Sequence, residues 1–446
     1  MLRLPTYVQF EITDKCNLRC QHCYHFNTNE MPASNDLKDK ETLRLVEKLI
    51  SDQIYSLVIT GGEPLIRTAT TLRAVKMAKE AGMFVSLNTN LLLLTEEILS
   101  KLKDSGINSL LVSCPASEPN IYRQITRCGD YNRFRSRLKM LIDSDISCLI
   151  NMVVTQTNFQ FIRSTAIDLV KLGIKRFAAT PVSLNVEYPD YKSLLTKSQI
   201  RVLLEDLDWC ADNLGLGIDI LEPLPKCFFP DWCWEKGSPL TKRSCQAGRM
   251  SVSMSNIGDI RPCSHNPIIY GNIFQQSLES IWDKMSIYRN GAIPNICKHC
   301  PSSPFCNGGC RTNALAATGR LDEPDYLTVG PRKFSSQKQE EIIIKGDYFL
   351  YFKGKIRWRR EEGNSYSISA KKNHLDLIIV NEETFRLVCW LEKNAPLTVK
   401  ELRQKSYNTS TEAAFFEVLK SLIRKGFICI KYDGPVCQTI LRPLKS

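Results

Sequence analysis

No stretch of this chain stays apolar and uncharged over the length a bilayer requires, which excludes a transmembrane span from the expected organisation. Residues 1–9 hold one arginine and no apolar run long enough for a secretory signal, so a cytoplasmic protein is expected. No segment requires disorder. The 43% hydrophobic content is ordinary for a globular chain, and 446 residues predict two to four domains. Cysteine, by contrast, is plentiful, with 18 residues. In a reducing compartment, clustered cysteines point to metal ligands rather than disulfides.

The first cysteine group is itself short of one member. Cys16, Cys20 and Cys23, in Thr-Asp-Lys-Cys-Asn-Leu-Arg-Cys-Gln-His-Cys-Tyr, let one loop offer three thiolates with no fourth nearby. An iron–sulfur cubane normally takes four, so one iron would stay open to a substrate or cofactor. Zinc is the alternative, but its ligands more often come as Cys-x2-Cys pairs, and three unequally spaced cysteines leave it a ligand short. A short apolar run at 57–60 leads into Gly61-Gly62-Glu63-Pro64, where two glycines allow the backbone to come close to a ligand. Together, Cys-x3-Cys-x2-Cys and this turn closely resemble the radical S-adenosylmethionine (SAM) enzymes. The resemblance implies a [4Fe-4S] cluster on Cys16, Cys20 and Cys23 that reduces SAM to a 5'-deoxyadenosyl radical. It also implies that Gly61, Gly62, Glu63 and Pro64 meet the methionine ammonium, with Tyr24 beside the cofactor. The protein then supplies positioning for chemistry that the cofactor carries.

Along residues 1–180, apolar runs at 8–12, 57–60, 84–88, 109–113, 148–154 and 176–179 alternate with helical patterns at 40–51, 70–81, 95–105, 131–144 and 159–172. Several of these helices close on glycine, as at Gly82, Gly106 and Gly173. The fold class is therefore α/β. Its expected form is a partial (β/α)6 TIM-type barrel with the cluster loop, the glycine turn, Asn88, Asn90, Ser113 and Thr155 on the rim at the carboxyl ends of the strands. Where relatives read Ser-x-Asp-Gly, this chain reads Ser113-Cys114-Pro115-Ala116, so an acidic residue is missing. Ser113 keeps the family's serine as a cofactor contact, and Arg127 is a candidate partner for the cofactor carboxylate. Cys114, Cys128 and Cys148 lack metal spacing and read as packing residues.

A second cysteine block comprises Cys245, Cys263, Cys297, Cys300, Cys306 and Cys310, too many for one cluster. The run Cys297-x2-Cys300-x5-Cys306-x3-Cys310 resembles the SPASM auxiliary-cluster domain of peptide-modifying radical enzymes, as do Gly258 before Cys263 and the segment from Gly271 to Trp282. That resemblance implies one or two auxiliary iron–sulfur clusters. One would use Cys245, Cys263 and Cys310 with Cys233 or Cys227, the other Cys297, Cys300 and Cys306. The family's last cysteine falls on Leu327, so the second set is completed by Asp325, by a distant cysteine such as Cys437, by solvent or by a substrate group, or is absent. A zinc ribbon at Cys297 to Cys310 fits the paired spacing but not Cys245 and Cys263.

Positive charge concentrates in residues 331–446, which carry 22 Lys plus Arg against 13 Asp plus Glu. Strands are expected at 348–352, 355–359 and 375–380, helices at 382–392, 399–406 and 411–425, and a last strand at 427–431. This order resembles a small α+β winged-helix, PqqD-like domain that binds leader peptides. DNA binding is opposed by Glu412 and Glu417 on the helix that would face phosphate, and a solvated basic cap is the plain alternative. The expected domains are a radical SAM barrel at 1–180, a bridge and SPASM-like domain at 181–330, and a peptide-recognition domain at 331–446.

The combined expectation is a peptide maturase acting on a leader-bearing precursor by crosslinking it, with a flavodoxin- or ferredoxin-type reductant and neither nucleic acid nor membrane as partner. Alternatives are a maturase of a folded protein such as a sulfatase, a tetrapyrrole-modifying enzyme, or an iron–sulfur DNA-binding sensor. The sulfatase version wants an aspartate after Cys263, where Ser264-His265 stands, and a sensor has no use for the glycine turn. His265, Glu222 and Asp259 are positional candidates for a base.

Overall fold

Alternation in Tyr7-Val8-Gln9-Phe10-Glu11 gives a strand with two unlike faces, and in the computed structural model it is β1 (Tyr7–Glu11). The structure describes residues 2–24, 35–187, 190–332, 341–342, 344, 347–370, 373–405, 412–431 and 441–442. Cys437 lies outside them. The strands that follow are β2 (Ser56–Thr60), β3 (Phe84–Thr89), β4 (Ser109–Ser113), β5 (Cys148–Val154), β6 (Arg176–Pro181) and β7 (Gly217–Asp219). Helices α1 (Asp39–Ser51), α2 (Thr68–Glu80), α3 (Glu96–Asp104), α4 (Pro119–Thr126), α5 (Tyr131–Asp143), α6 (Ile162–Leu172) and α7 (Lys197–Leu214) connect them. These strands lie side by side in chain order, as a parallel sheet built from strand–helix units must. The expected α/β class and six core strands are present; α4 and α7 are additional helices.

Register explains where the polar groups go. Glu11 lies beside Thr60, and Ser113 beside Asn151. Asn88 Nδ2 reaches Thr60 Oγ1 (3.4 Å), and Thr180 Oγ1 donates to Asn151 Oδ1 (2.8 Å). A polar row thus crosses the sheet near the carboxyl ends of its strands. The alternate positions, Val8, Phe10, Leu57, Ile59, Val85, Leu87, Leu110 and Val112, are buried apolar core. Each such side chain contributes roughly 1.5–3 kcal/mol when fully buried.

The sheet does not stop at β1. Three short strands, β8 (Ser251–Met254), β9 (Asp259–Arg261) and β10 (Gly271–Asn272), extend it on that side, with β8 parallel to β1 and the next two antiparallel. The cysteine-rich segment is otherwise short helices and turns around the fully buried Trp282, with the Arg289 guanidinium 4.3 Å from its ring centre. So little regular structure suits a region organised by metal ligation.

The chain divides into two compact units: Leu4–Ala81 with Val85–Ser335, and Ser336–Ser446 with the stretches Met1–Arg3 and Gly82–Phe84. In the smaller unit, Phe349–Phe352 pairs antiparallel with Leu397–Thr398 and Ile428–Lys431. Helices Glu382–Asn394, Val399–Lys405 and Glu412–Arg424 accompany this sheet, and Leu350, Val388, Leu391, Leu402, Phe415 and Leu419 are in its core. A strand absent from the expectation, Ser365–Ala370, joins Ile356–Arg360 and Asn373–Asn381 in a separate antiparallel meander. The turn that makes it possible uses Gly363 and Asn364, both in the left-handed region (φ 64° and 56°). Among the described residues no helix is long and apolar enough to cross a membrane.

Candidate cluster and cofactor site

The loop after β1 carries Cys16, Cys20 and Cys23, and its backbone is tied to the end of α4: Arg19 N–H donates to Thr126 O (3.2 Å) and Gln21 N–H to Ile125 O (2.9 Å). Burial pushes the Cys16 thiol up to about 12 and raises Cys20 as well, and the neighbouring cysteines add to both shifts. Thiols gathered in a setting that opposes their ionisation are stabilised as thiolates by a metal. Leu18 N–H donates to Cys16 Sγ (3.4 Å), and Asn90 Nδ2 lies 3.9 Å from the same sulfur. Such donors tune an iron–sulfur cluster, so the loop fits one.

Gly61 and Gly62 press against this loop. Gly62 N–H donates to Thr13 O (2.8 Å) and Glu63 N–H to Lys15 O (2.7 Å). A Cβ on Gly62 would lie 2.1 Å from Lys15 O and 2.5 Å from Lys15 C, and one on Gly61 2.4 Å from Thr13 O. All of those are backbone atoms, so no rotamer change relieves the clash. Gly62→Ala is therefore expected to destabilise the protein by about 3 kcal/mol and to displace the cysteine loop. Denaturant unfolding and iron content of the reconstituted variant measure both effects.

Glu63 does more than the sequence suggested. Its carboxylate is fully buried and accepts from Leu65 N–H (3.0 Å), Thr89 Oγ1 (2.9 Å) and Asn90 N–H (2.8 Å). It thereby caps the turn Pro64–Arg67 and fastens it to the end of β3. Burial raises it from 4.5 to about 7 against those hydrogen bonds. The folded state keeps this proton up to about pH 7, whereas the unfolded chain releases it near 4.5. Stability should therefore fall as pH rises through that window and level off above it, by about 3 kcal/mol for this group. Glu11 and Asp325, also raised to about 7 chiefly by burial, add the same sign. Urea unfolding across pH 4.5–7.5 should show a shallower decline in Glu63→Gln than in wild type.

The other predicted cofactor contacts are spread along the same rim. Ser113 ends β4 and is exposed, and Asn88 sits in the polar row. Arg127 follows α4 with a left-handed backbone (φ 65°), next to the residues that hold the cysteine loop. Tyr24 packs edge-on against His265, with ring centres 4.7 Å apart. Burial, then Arg261, pushes His265 down to about 4, so its imidazole is neutral at physiological pH. Arg261 forms an ion pair with Glu11, whose carboxylate also accepts from Ser253 Oγ (3.3 Å). Thr155 directly follows β5, at that strand's carboxyl end, where it is buried and hydrogen-bonded to Asn158 within a turn. Asp259 is occupied by Asn272 Nδ2 (2.8 Å). Cys128 is also not a packing residue. It is exposed, and its thiol donates to Asn17 O (3.5 Å) inside the cluster loop.

The auxiliary cysteines divide into two groups. Cys245, Cys263 and Cys310 lie near one another, beside the buried carboxyls of Glu222 and Asp325. Glu222 accepts from Ser183 Oγ (2.7 Å) and Asn313 Nδ2 (3.0 Å), and Asp325 from Cys310 N–H (2.8 Å) and Leu327 N–H (2.9 Å). Cys297, Cys300 and Cys306 instead line a cavity together with Cys227. Cys233 joins neither group. It is fully buried in the short helix Asp231–Glu235, where the charges acting on it are Asp208 and Lys236. It does not line the cavity that Cys227, Cys297, Cys300 and Cys306 share. Among the described residues no three Cys, His, Asp or Glu side chains converge on a single-ion site. A cubane differs in binding each thiolate at a separate corner.

The family model for the Radical SAM superfamily matches residues 10–159, and that for the SPASM iron-sulfur cluster-binding domain matches residues 245–301. The chain is 27% identical to an AdoMet-dependent heme synthase of Methanosarcina barkeri, over 75% of this chain and 99% of that protein. It is 26% identical to a PqqA peptide cyclase of Bradyrhizobium diazoefficiens, over 78% and 93% respectively. Among solved structures, Streptococcus suis SuiB bound to S-adenosylmethionine superposes with a TM-score of 0.59 at 19% identity, covering 73% of this chain and 78% of SuiB. SuiB bound to its precursor peptide SuiA gives a TM-score of 0.58. The chain carries a radical SAM domain and a SPASM domain, which imply SAM, a [4Fe-4S] cluster and auxiliary iron–sulfur clusters as its cofactors.

Proposed function

We propose that this radical SAM enzyme matures a ribosomally made precursor peptide in the cytoplasm, closing a crosslink within it and drawing electrons from a flavodoxin- or ferredoxin-type donor. The observation that carries this proposal is the junction of the glycine turn with the cysteine loop, where a Cβ at either Gly61 or Gly62 would enter the loop's backbone. When bound, SAM and the first cluster supply an adenosyl radical that removes a substrate hydrogen. Cys16, Cys20 and Cys23 hold that cluster. Backbone groups of Gly61 to Pro64, with Tyr24, Asn88, Ser113 and Arg127, orient the cofactor, and Glu63 acts from beneath by fixing the turn. The polar row and the wall formed by Tyr24 and His265 are the surfaces offered to the substrate. Cys245, Cys263 and Cys310, and Cys297, Cys300 and Cys306, would hold auxiliary clusters, which would supply one-electron acceptors.

A peptide substrate is supported by the likeness to PqqA peptide cyclase and by the fold shared with SuiB. The segment 331–446 is proposed as the leader-binding, winged-helix domain, following a barrel at 1–180 and the bridge and auxiliary domain at 181–330. Three helices, Glu382–Asn394, Val399–Lys405 and Glu412–Arg424, precede the strand Ile428–Lys431, which is an edge strand of its sheet. A leader could add beside such an edge. Phe415 of the helix Glu412–Arg424 is turned into the core, which gives no support to a DNA-reading face.

A tetrapyrrole substrate is the second reading, favoured by the likeness to the heme synthase. Anaerobic incubation of the reconstituted enzyme with a leader-bearing candidate precursor peptide, followed by mass spectrometry, separates the two. Loss of two hydrogens per crosslink, with 5'-deoxyadenosine formed, supports the peptide. An unchanged peptide with turnover of a porphyrin precursor supports the alternative.

A further inference from the structure

The missing last cysteine at Leu327 leaves Cys297, Cys300 and Cys306 one thiolate short of a closed cluster. We infer that Cys227 supplies it, so that this auxiliary cluster takes its fourth ligand from a turn about seventy residues upstream in the chain. The inference rests on the auxiliary-cluster reading above and adds a ligand to it.

Cys227 is the middle residue of the turn Lys226–Phe228, and its neighbours fix it on both sides. Lys226 is buried, with its ammonium donating to Thr241 O (2.5 Å) and to Arg243 O, while Phe228 is buried and its N–H donates to Pro225 O (2.9 Å). Lys226 N–H donates to Cys306 Sγ (3.2 Å), which places the turn against the other cysteines. Across the cavity, Cys297 closes its own turn on Pro294 O (2.8 Å), Cys300 N–H donates to Cys297 O (3.1 Å) and Cys306 N–H to Ser302 O (2.8 Å). All four cysteines line one and the same cavity.

The competing donors point elsewhere. Asp325 is engaged by the N–H groups of Cys310 and Leu327 and does not line the cavity. Leu327 is buried with the core, and Cys233 is held in its helix beside Asp208. Four thiolates make a closed site in which every iron corner is taken, suited to electron transfer rather than to binding substrate.

The test uses the full chain carrying the Cys16, Cys20 and Cys23 alanine substitutions, so that only auxiliary iron is counted. Reconstituted anaerobically, it should hold about eight irons as two cubanes. Adding Cys227→Ala should remove about half of the iron and one of two reduced-state electron paramagnetic resonance signals, while Cys233→Ala and Cys437→Ala change neither. Retention of both signals by Cys227→Ala, or loss of one in Cys437→Ala, overturns the assignment. A background that binds no iron overturns the auxiliary reading along with it. If Cys227→Ala fails to fold, thiol alkylation of reconstituted wild-type protein decides. Cys227 should be protected together with Cys297, Cys300 and Cys306 and become reactive when iron is chelated. Equal labelling of Cys227 with and without iron, while Cys297 is protected, rules it out.

Discussion

Replacing Cys16, Cys20 and Cys23 together by alanine should remove about four irons from the reconstituted protein and reduce reductive cleavage of SAM to the no-enzyme background. Nothing else in the described structure can take over the set. The loop is pinned by Thr126 and Ile125 on one side and by Gly62 and Glu63 on the other, so no distant cysteine can enter without moving backbone. Cys128 stands close, its thiol on Asn17 O of the loop, and it makes the experiment more pointed. If Cys128 were an interchangeable ligand, the triple variant would keep a partial cluster, and Cys128→Ala would lose iron by itself. The expected result is that Cys128→Ala keeps the wild-type iron count. Iron, sulfide and 5'-deoxyadenosine, measured on the same preparations, distinguish loss of a cluster from loss of the fold. An unaltered iron count in the triple variant would sink the assignment of this loop.

Much of the barrel was legible because period-two alternation and glycine-closed helices are local signals. β4 and β5 fall on the expected residues, and β1, β2, β3 and β6 differ by one or two at an end. The short strands β8 to β10 were not legible. Two to four residues carry too little periodicity, and their place beside β1 depends on pairing with residues some 240 positions earlier. The cluster loop could be read from spacing alone, since its three thiols come from one turn of chain. Cys227 and Cys233 could not be ranked in that way. Both precede Cys245 by a short distance, and only the turn at Lys226–Phe228, with its backbone on Cys306, tells them apart. Glu63 shows a third limit: its charge suggested a partner for an ammonium, whereas its burial and three donors are properties of the fold.

Removing residues 336–446 should lower modification of a full precursor by about a hundredfold while SAM cleavage without peptide persists. The magnitude follows from tethering. A leader held by one module presents its core peptide to another at a local concentration that can raise apparent affinity by roughly 10²–10⁴. The tail has its own core around Leu350, Val388, Leu391 and Leu402, and the cut between Ser335 and Ser336 removes all of its unit except Met1–Arg3 and Gly82–Phe84. The loss should appear in KM for the precursor, and excess isolated leader peptide should inhibit the intact enzyme competitively. It should have little effect on the truncated one, which lacks the site for which leader and precursor compete. A leaderless core peptide should be modified slowly and equally by both enzymes. If truncation instead leaves precursor turnover unchanged, the basic tail is a solvated cap. If it abolishes SAM cleavage as well, the tail supports the fold of the larger unit, and peptide capture must be sought elsewhere.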